Sequence, residues 1–371
     1  MEFSLRVRNT TGLLTNEIIY SIALTRLEGV TAQQALLLYR EYGNGEAVYD
    51  NFRHAAWSVA VRRAEAEVEF MQQKGIRAIP MSDSCYPQRL KDCADAPIVL
   101  YYRGNADLNC LHVVAMVGTR KATAYGRDII RTFVKDLREA CPDVLIVSGL
   151  AYGVDVASHR AALDNGLDTV GVVAHGLDTL YPSSHRATAA EMVQHGGILT
   201  EYMSLTRVDK GNFVRRNRLI AGIADATIVV ESAVKGGALI TADIAQSYNR
   251  DVFAFPGRVN DEYSQGCNAL IRDNKAVLIT SASDFMLAMR WIDDATLRRA
   301  KAEGIETSLF PELTADEAVI VNVLKDTNDL SLNTLSVRAS MAIKTLTPVL
   351  MSMEMKGIIK FYAGGVYHLI S

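Results

Sequence analysis

The sequence predicts an α/β chain built on a doubly wound, mostly parallel sheet, with a helical module before it and a small helical unit ending in a hairpin after it. Three observations predict this. Between about residues 74 and 292, short runs rich in valine and isoleucine alternate with helical patterns. Those runs are apolar throughout instead of at every second position, the mark of strands covered on both faces. The flanking regions, 1–73 and 314–371, keep helical periodicity but lose the alternation, and a charged linker at 293–313 precedes the second of them.

The elements follow in order. From Thr15 to Gln73 the apolar positions Ile18, Ile19, Ile22, then Ala35 to Leu38, then Trp57 to Phe70 read as helices broken at Gly29 and at Gly43-Asn44-Gly45. The strands expected in the middle region are Val113–Val117, Val144–Ser148, Thr169–Ala174, Ile198–Glu201, Thr227–Glu231, Val252–Phe255 and Ala276–Ile279. Helices are expected over Arg127–Glu139, Val154–Asn165, Ala187–His195, Arg215–Ile223 and Leu239–Tyr248. Right-handed crossovers then place ligands beyond the carboxyl ends of the strands. At the end of the chain, Ala318–Leu324, Leu332–Arg338 and Leu346–Lys356 read as helices, and Ile358–Tyr362 and Val366–Ile370 as a hairpin turning at Gly364-Gly365. Three helices and a hairpin make a winged-helix arrangement, although its would-be recognition segment, Thr345 to Met355, is poor in Arg and Lys.

Composition narrows the function. The 371 residues are 49% hydrophobic and 22% charged, with a net charge of −3, which excludes a uniformly basic DNA coat. A basic patch is local: Arg207, Lys210, Arg215, Arg216 and Arg218 face a single anion, Asp209, for a net charge of +4. The five cysteines form no Cys-x-x-Cys pair, so reduced thiols in the cytoplasm are expected, with neither a disulfide framework nor a metal site. No signal-peptide pattern and no apolar run of roughly 20 residues suggests a membrane role. No cofactor is expected, since the Gly-x-Gly-x-x-Gly fingerprint of dinucleotide binding is missing.

Four loops at strand ends carry the chemistry. Gly118-Thr119-Arg120-Lys121 opens the first; the glycine admits a ligand to the backbone, and Arg120 offers a bidentate fork to phosphate with Lys121 beside it. The second, Ser148-Gly149-Leu150-Ala151-Tyr152-Gly153-Val154-Asp155, places Ser148, Gly149 and Gly153 at a helix N-terminus that suits an anion, with Asp155 as a capping residue. His159, one turn on, makes a catalytic Asp–His pair conceivable but without a nucleophile. The third, around His175 and His185, reads as loop and capping residues. The fourth joins Phe213-Val214-Arg215-Arg216-Asn217-Arg218 to Lys235-Gly236-Gly237 and Thr241: a ring to stack on a base, arginines that cannot all face one way, and a glycine turn before a helix. Glu231 and Asp243 flank that turn and would repel phosphate unless paired.

The ordered set Gly118-Thr119-Arg120, Ser148 to Asp155, Arg216-Asn217-Arg218-Leu219-Ile220-Ala221-Gly222 and Gly236 to Ala242 resembles the DNA-processing protein A (DprA, or Smf) family of bacteria. The resemblance implies an extended Rossmann-like domain that binds single-stranded DNA without catalysis. It further implies protection of incoming strands during natural transformation, loading of the RecA recombinase, and a homodimer. By that likeness Arg120, Phe213, Arg216, Asn217, Arg218, Lys235, Gly236 and Gly237 form the strand-binding surface. The family-type flanks would be a sterile-alpha-motif or helix-hairpin-helix module and a winged helix. Two departures stand out: Val214 replaces the usual proline after the phenylalanine, and no second glycine follows Gly29. The alternative is a nucleotide-processing enzyme of the phosphoribohydrolase kind. Its loop would need a third glycine and a glutamate that Gly236 to Asp243 lacks.

Overall fold

The computed structural model describes residues 16–291, 313–356, 358–362 and 365–369. The helical module consists of α1 (16–24), α2 (Ala32–Tyr42), α3 (Gly45–Asn51) and α4 (Trp57–Lys74). Thr31 and Gln34 close a capping box on α2, and Gly43 ends it at φ 90°. Glu17 accepts hydrogen bonds from the Tyr39 hydroxyl (2.6 Å), the Glu46 amide (3.0 Å) and the Ser82 hydroxyl (2.8 Å). One carboxylate thereby ties two helices to the edge of the sheet. The apolar face of the module (Ile22, Leu36, Trp57, Met71) runs without a break into Ile79, Tyr86 and Leu100, a single core.

The sheet has nine strands: β1 (Arg77–Pro80), β2 (Val99–Gly104), β3 (Val113–Val117), β4 (Leu145–Ser148), β5 (Thr169–Val172), β6 (Gly196–Thr200), β7 (Ala226–Val229), β8 (Asp251–Ala254) and β9 (Val277–Leu278). Their order is β1-β2-β6-β5-β4-β3-β7-β8-β9. β6 through β9 in this order are parallel, while β1 and β2 add an antiparallel edge that the apolar-run pattern does not single out. Burial on both faces explains the continuous apolar runs. Val113, Ala115 and Val117 enter one core, and Val114 and Met116 the other.

The helices are α5 (Gln88–Lys91), α6 (Ala124–Ala140), α7 (Val154–Asp164), α8 (Arg186–Met192), α9 (Lys210–Ile223), α10 (Gly237–Ser247), α11 (Gln265–Arg272) and α12 (Ala282–Met289). The chain winds outward from β3 to β6, then returns to β7 on the other side of β3. The switch point therefore lies between β3 and β7, where crest loops part and a crevice opens. Beneath it, buried Arg89 on α5 grips Asp225 through Nε (2.5 Å) and Nη2 (3.0 Å), and Asp225 also accepts the Val113 amide (2.8 Å).

The last described unit comprises helices Ala315–Asp326, Leu332–Arg338 and Ile343–Met355 with strands Leu330–Ser331, Ile359–Tyr362 and Val366–Leu369. It has its own core of Ile320, Leu324, Leu335, Leu346, Leu350 and Leu369. The short strand Leu330–Ser331 adds a third member to the expected hairpin. Gly365 turns the hairpin at φ 76°, whereas Gly364 and nearly all of the expected linker lie outside the described residues. A cleft of about 860 Å³ separates this unit, through Ile343 and Lys344, from Arg215, Arg218 and Tyr248 of the α/β unit.

Buried Glu317 caps its own helix here. A hydrogen bond from Lys356 (2.6 Å) and another from the Thr314 amide (3.0 Å) hold its carboxyl down to about 2. A carboxyl lowered on folding stabilises the fold above its unfolded value, about 4.3, and loses that contribution as pH falls through 2. Thermal melts across pH 5 to 2 are expected to show this loss in the wild type and a flatter profile in Glu317→Gln.

Candidate nucleic-acid interface

At the carboxyl end of β3 the chain runs through Gly118 and Arg120 to α6. The Thr119 amide donates to the Glu231 carbonyl (2.7 Å), and a Cβ on Gly118 would sit 2.8 Å from the same oxygen. The Glu231 carboxylate accepts the Thr123 amide (2.8 Å) and hydroxyl (2.5 Å). The acid feared as a repulsive neighbour is thus spent on the N-terminus of α6, where a helix favours negative charge. The first anion cradle is filled by the chain itself.

The second loop is also internally satisfied. Gly153, at φ 78°, lies against the Thr119 carbonyl, and a Cβ there would fall within 2.5 Å of the Arg120 carbonyl carbon. The Val154 amide completes the seam by donating to the Thr119 carbonyl (3.1 Å). Gly149 leaves room for two opposite charges: a Cβ would come to 2.5 Å from Asp155 Oδ2 and 2.6 Å from Arg216 Nη2. Arg216, only 4% exposed, donates through Nη1 to the Gly149 carbonyl (2.6 Å) and to the Val172 carbonyl. Burial pushes its guanidinium down to about 10, against the pull of Asp155, so it stays charged at neutral pH. Burial raises Asp155, and Arg216 opposes that rise.

These positions correct part of the expected surface. Arg216 is a strut joining the β4 and β5 ends, because α9 turns its side chain inward onto the Gly149 and Val172 carbonyls. The Ser148 hydroxyl donates to the Met116 carbonyl (2.6 Å) and the Thr241 hydroxyl to the Gly237 carbonyl (3.1 Å), so both buried side chains serve the backbone. Gly149 likewise packs against protein. The imagined Asp155–His159 pair does not form either. His159 Nδ1 lies 2.7 Å from Thr169 Oγ1, whose own proton goes to the Ile146 carbonyl (2.8 Å). Nδ1 therefore carries the ring proton, and burial lowers the imidazole to about 3. It is a neutral core residue.

What remains at the crest is cationic and aromatic. Arg120, Lys121 and Lys235 are exposed, and Phe213 is half-buried. Helix α9 begins at Lys210, capped by Asp209, five residues earlier than its apolar periodicity indicates, so Phe213 stands in its first turns. At 100° per residue, Phe213, Arg216 and Asn217 share one side of α9 while Arg215 and Arg218 take the other. The Arg120 and Arg216 guanidinium carbons lie 5.4 and 5.9 Å from the Phe213 ring centre. Tyr181 meets the same ring edge-on at 5.7 Å. Asn217 donates to the Gly237 carbonyl (3.4 Å) and steadies the start of α10, whose N-terminus has no side-chain cap; Gly236 is half-buried there and Gly237 is open. Gly237 and Lys235 thus border a helix N-terminus with free amides.

On the opposite side of α9, Arg218 donates to the Asp95 carbonyl (2.6 Å) and to the Glu201 carboxylate, and Arg215 lines the cleft toward the C-terminal unit. The crest does not include them. Asp243, the acid that follows the glycine turn in sequence, pairs with Lys275 (2.8 Å) and offers nothing to the α10 N-terminus. Among the described residues no cluster of three His, Cys, Asp or Glu side chains could hold a metal ion. No described helix is long and apolar enough to cross a membrane.

The profile of the family described as DNA recombination-mediator protein A matches residues 77–290, more than half of the chain. The chain belongs to this family. Protein Smf of Escherichia coli is 32% identical over 317 residues, spanning 82% of this chain and 80% of its own. DNA processing protein DprA of Streptococcus pneumoniae is 39% identical over 55% of this chain and 71% of its own. The match to the Mycobacterium tuberculosis DprA relatives, 38% identical, spans 63% of their length. Among solved structures, DprA of S. pneumoniae superposes with a TM-score of 0.64 at 34% identity, covering 74% of this chain and 97% of that one. DprA of Helicobacter pylori, described for its single-stranded DNA binding mode, gives 0.53 at 29% identity, covering 58% and 96%. The DprA family match covers the whole sheet and the crest.

Sequence reasoning missed Tyr181 and the structural duties of Glu231. Tyr181 is hidden in a loop read for its histidines; an aromatic beside a proline, Pro182, in a strand-end loop was the available signal. Glu231 closes a strand, where an acid reads as a surface charge.

Proposed function

We propose that the crest between β3 and β7 holds an unpaired DNA strand by its phosphates and does not turn it over. The observation that carries this reading is the Phe213 ring, with the Arg120 and Arg216 guanidinium carbons 5.4 and 5.9 Å from its centre, beside the uncapped N-terminus of α10. Cations and free amides bind consecutive phosphates, the ring accepts a base face, and nothing at the crest reads base edges. The family, and the single-stranded DNA binding mode described for the H. pylori relative, support it. On this reading the protein acts in the cytoplasm during natural transformation, protecting incoming strands and loading RecA. The exposed Val277 and Leu278 of edge strand β9 support a homodimer. The C-terminal unit, read as a winged helix, supplies a further contact surface.

A salt titration of labelled oligo-dT tests the proposal. Arg120→Ala is expected to weaken binding about tenfold and to flatten the slope of log affinity against log salt by about 0.7, one single-strand phosphate contact. Its melting temperature should match the wild type, because Arg120 is exposed. Equal affinity of wild type for blunt duplex and oligo-dT, or an unchanged slope in Arg120→Ala, overturns it.

A further inference from the structure

Among the described residues of the α/β unit, three aromatic rings are largely open to solvent: Tyr125 (49% exposed), Tyr152 (46%) and Tyr181 (43%). They are not scattered. Each follows the carboxyl end of a different strand, β3, β4 and β5, and those strands are neighbours in the sheet. Leaving a ring in water forfeits roughly 25 cal/mol for each Å² of apolar surface. Three such rings on one crest, and none elsewhere in the unit, mark a surface that is covered in use.

The rings are also held. The Tyr125 hydroxyl donates to the Pro256 carbonyl (2.7 Å) beyond the end of β8. Tyr152 meets the His185 ring edge-on at 4.9 Å, and its hydroxyl lies 3.3 Å from the Ser184 hydroxyl. Tyr181 meets Phe213 at 5.7 Å with 66° between the planes. The Tyr181–His185 segment thus touches both Tyr152 and Phe213. A ring fixed by its neighbours loses little freedom when a planar group settles on it.

We propose that Tyr181, Tyr152 and Tyr125 form a base-stacking platform across the ends of β5, β4 and β3, on which successive bases of an unpaired strand lie while Arg120, Lys121 and Lys235 hold its phosphates. The proposal rests on the crest being a single-strand interface and assigns the bases a place of their own. The platform takes every base, since each presents a π-face, and it fixes which way the strand crosses the sheet.

The test pairs two probes of equal length, oligo-dT and an abasic phosphodiester oligomer, with wild type, Tyr125→Ala, Tyr152→Ala, Tyr181→Ala, the three Tyr→Phe variants and Arg120→Ala. Each alanine variant is expected to lose about 5- to 30-fold in affinity for oligo-dT. Binding of the abasic probe and the salt slope should stay as in wild type, and each Tyr→Phe variant, which keeps the ring, should bind oligo-dT more tightly than the matching alanine variant. Alanine variants that bind oligo-dT normally, or that weaken both probes equally, overturn the platform. If those variants behave so while Arg120→Ala weakens both probes, the crest reading survives without the platform. If Arg120→Ala also leaves both probes unchanged, the crest reading falls and takes the platform with it.

Discussion

Arg216→Ala is expected to melt roughly 6–20 °C below the wild type, a loss of about 3–5 kcal/mol. The guanidinium is buried and donates to the carbonyls of Gly149 and Val172 while facing the Asp155 carboxylate. Truncation leaves two carbonyls without donors and an acid buried without its cation. Solvent screening does not soften the effect at a site this enclosed. Arg216→Lys should recover only part of the loss, because one compact, strongly hydrated ammonium must stand in for the Nη1 that reaches both carbonyls and for the rest of a planar guanidinium packed beside Gly149. Thermal denaturation followed by circular dichroism checks this. A melt matching the wild type, with weakened DNA binding alone, would return Arg216 to the ligand-contacting surface.

Gly153→Ala should cost about 2–4 kcal/mol and also weaken DNA binding. The backbone there has φ 78°, which a Cβ resists, and the added carbon would press on the Thr119 carbonyl and the Arg120 backbone. Neither neighbour is a flexible side-chain tip, so the loop itself must move. The displaced segment carries Arg120, hence the expected loss of affinity beyond the loss of stability. Measured well below the melting point, binding of oligo-dT should fall severalfold in Gly153→Ala. Unaltered binding would mean that the seam does not position Arg120.

The parallel sheet was legible because strands buried on both faces carry unbroken apolar runs, as Val113–Val117 does. The antiparallel edge was not, since β1 is four residues long, begins with exposed Arg77 and ends in Pro80. At the site, spacing located all the crest loops but could not tell which groups meet a ligand. Whether an arginine faces solvent or a carbonyl depends on a few tens of degrees around α9, and on Gly149 vacating space two strands away. Arg120 and Arg216 look alike in a sequence. Long-range packing separates them, just as it turns Glu231 from a hostile charge into the cap of α6.

The shared interior of the helical module and the sheet governs how this protein can be dissected. Cutting the chain near residue 74 would strip cover from Ile79, Tyr86 and Leu100 and leave a sticky wound, so a shortened fragment would report aggregation instead of the module's contribution. The C-terminal unit, with a separate interior of its own, tolerates removal on the same logic. Questions about the front end call for single exposed side chains to be altered in an intact polypeptide; questions about the back end can be asked with scissors.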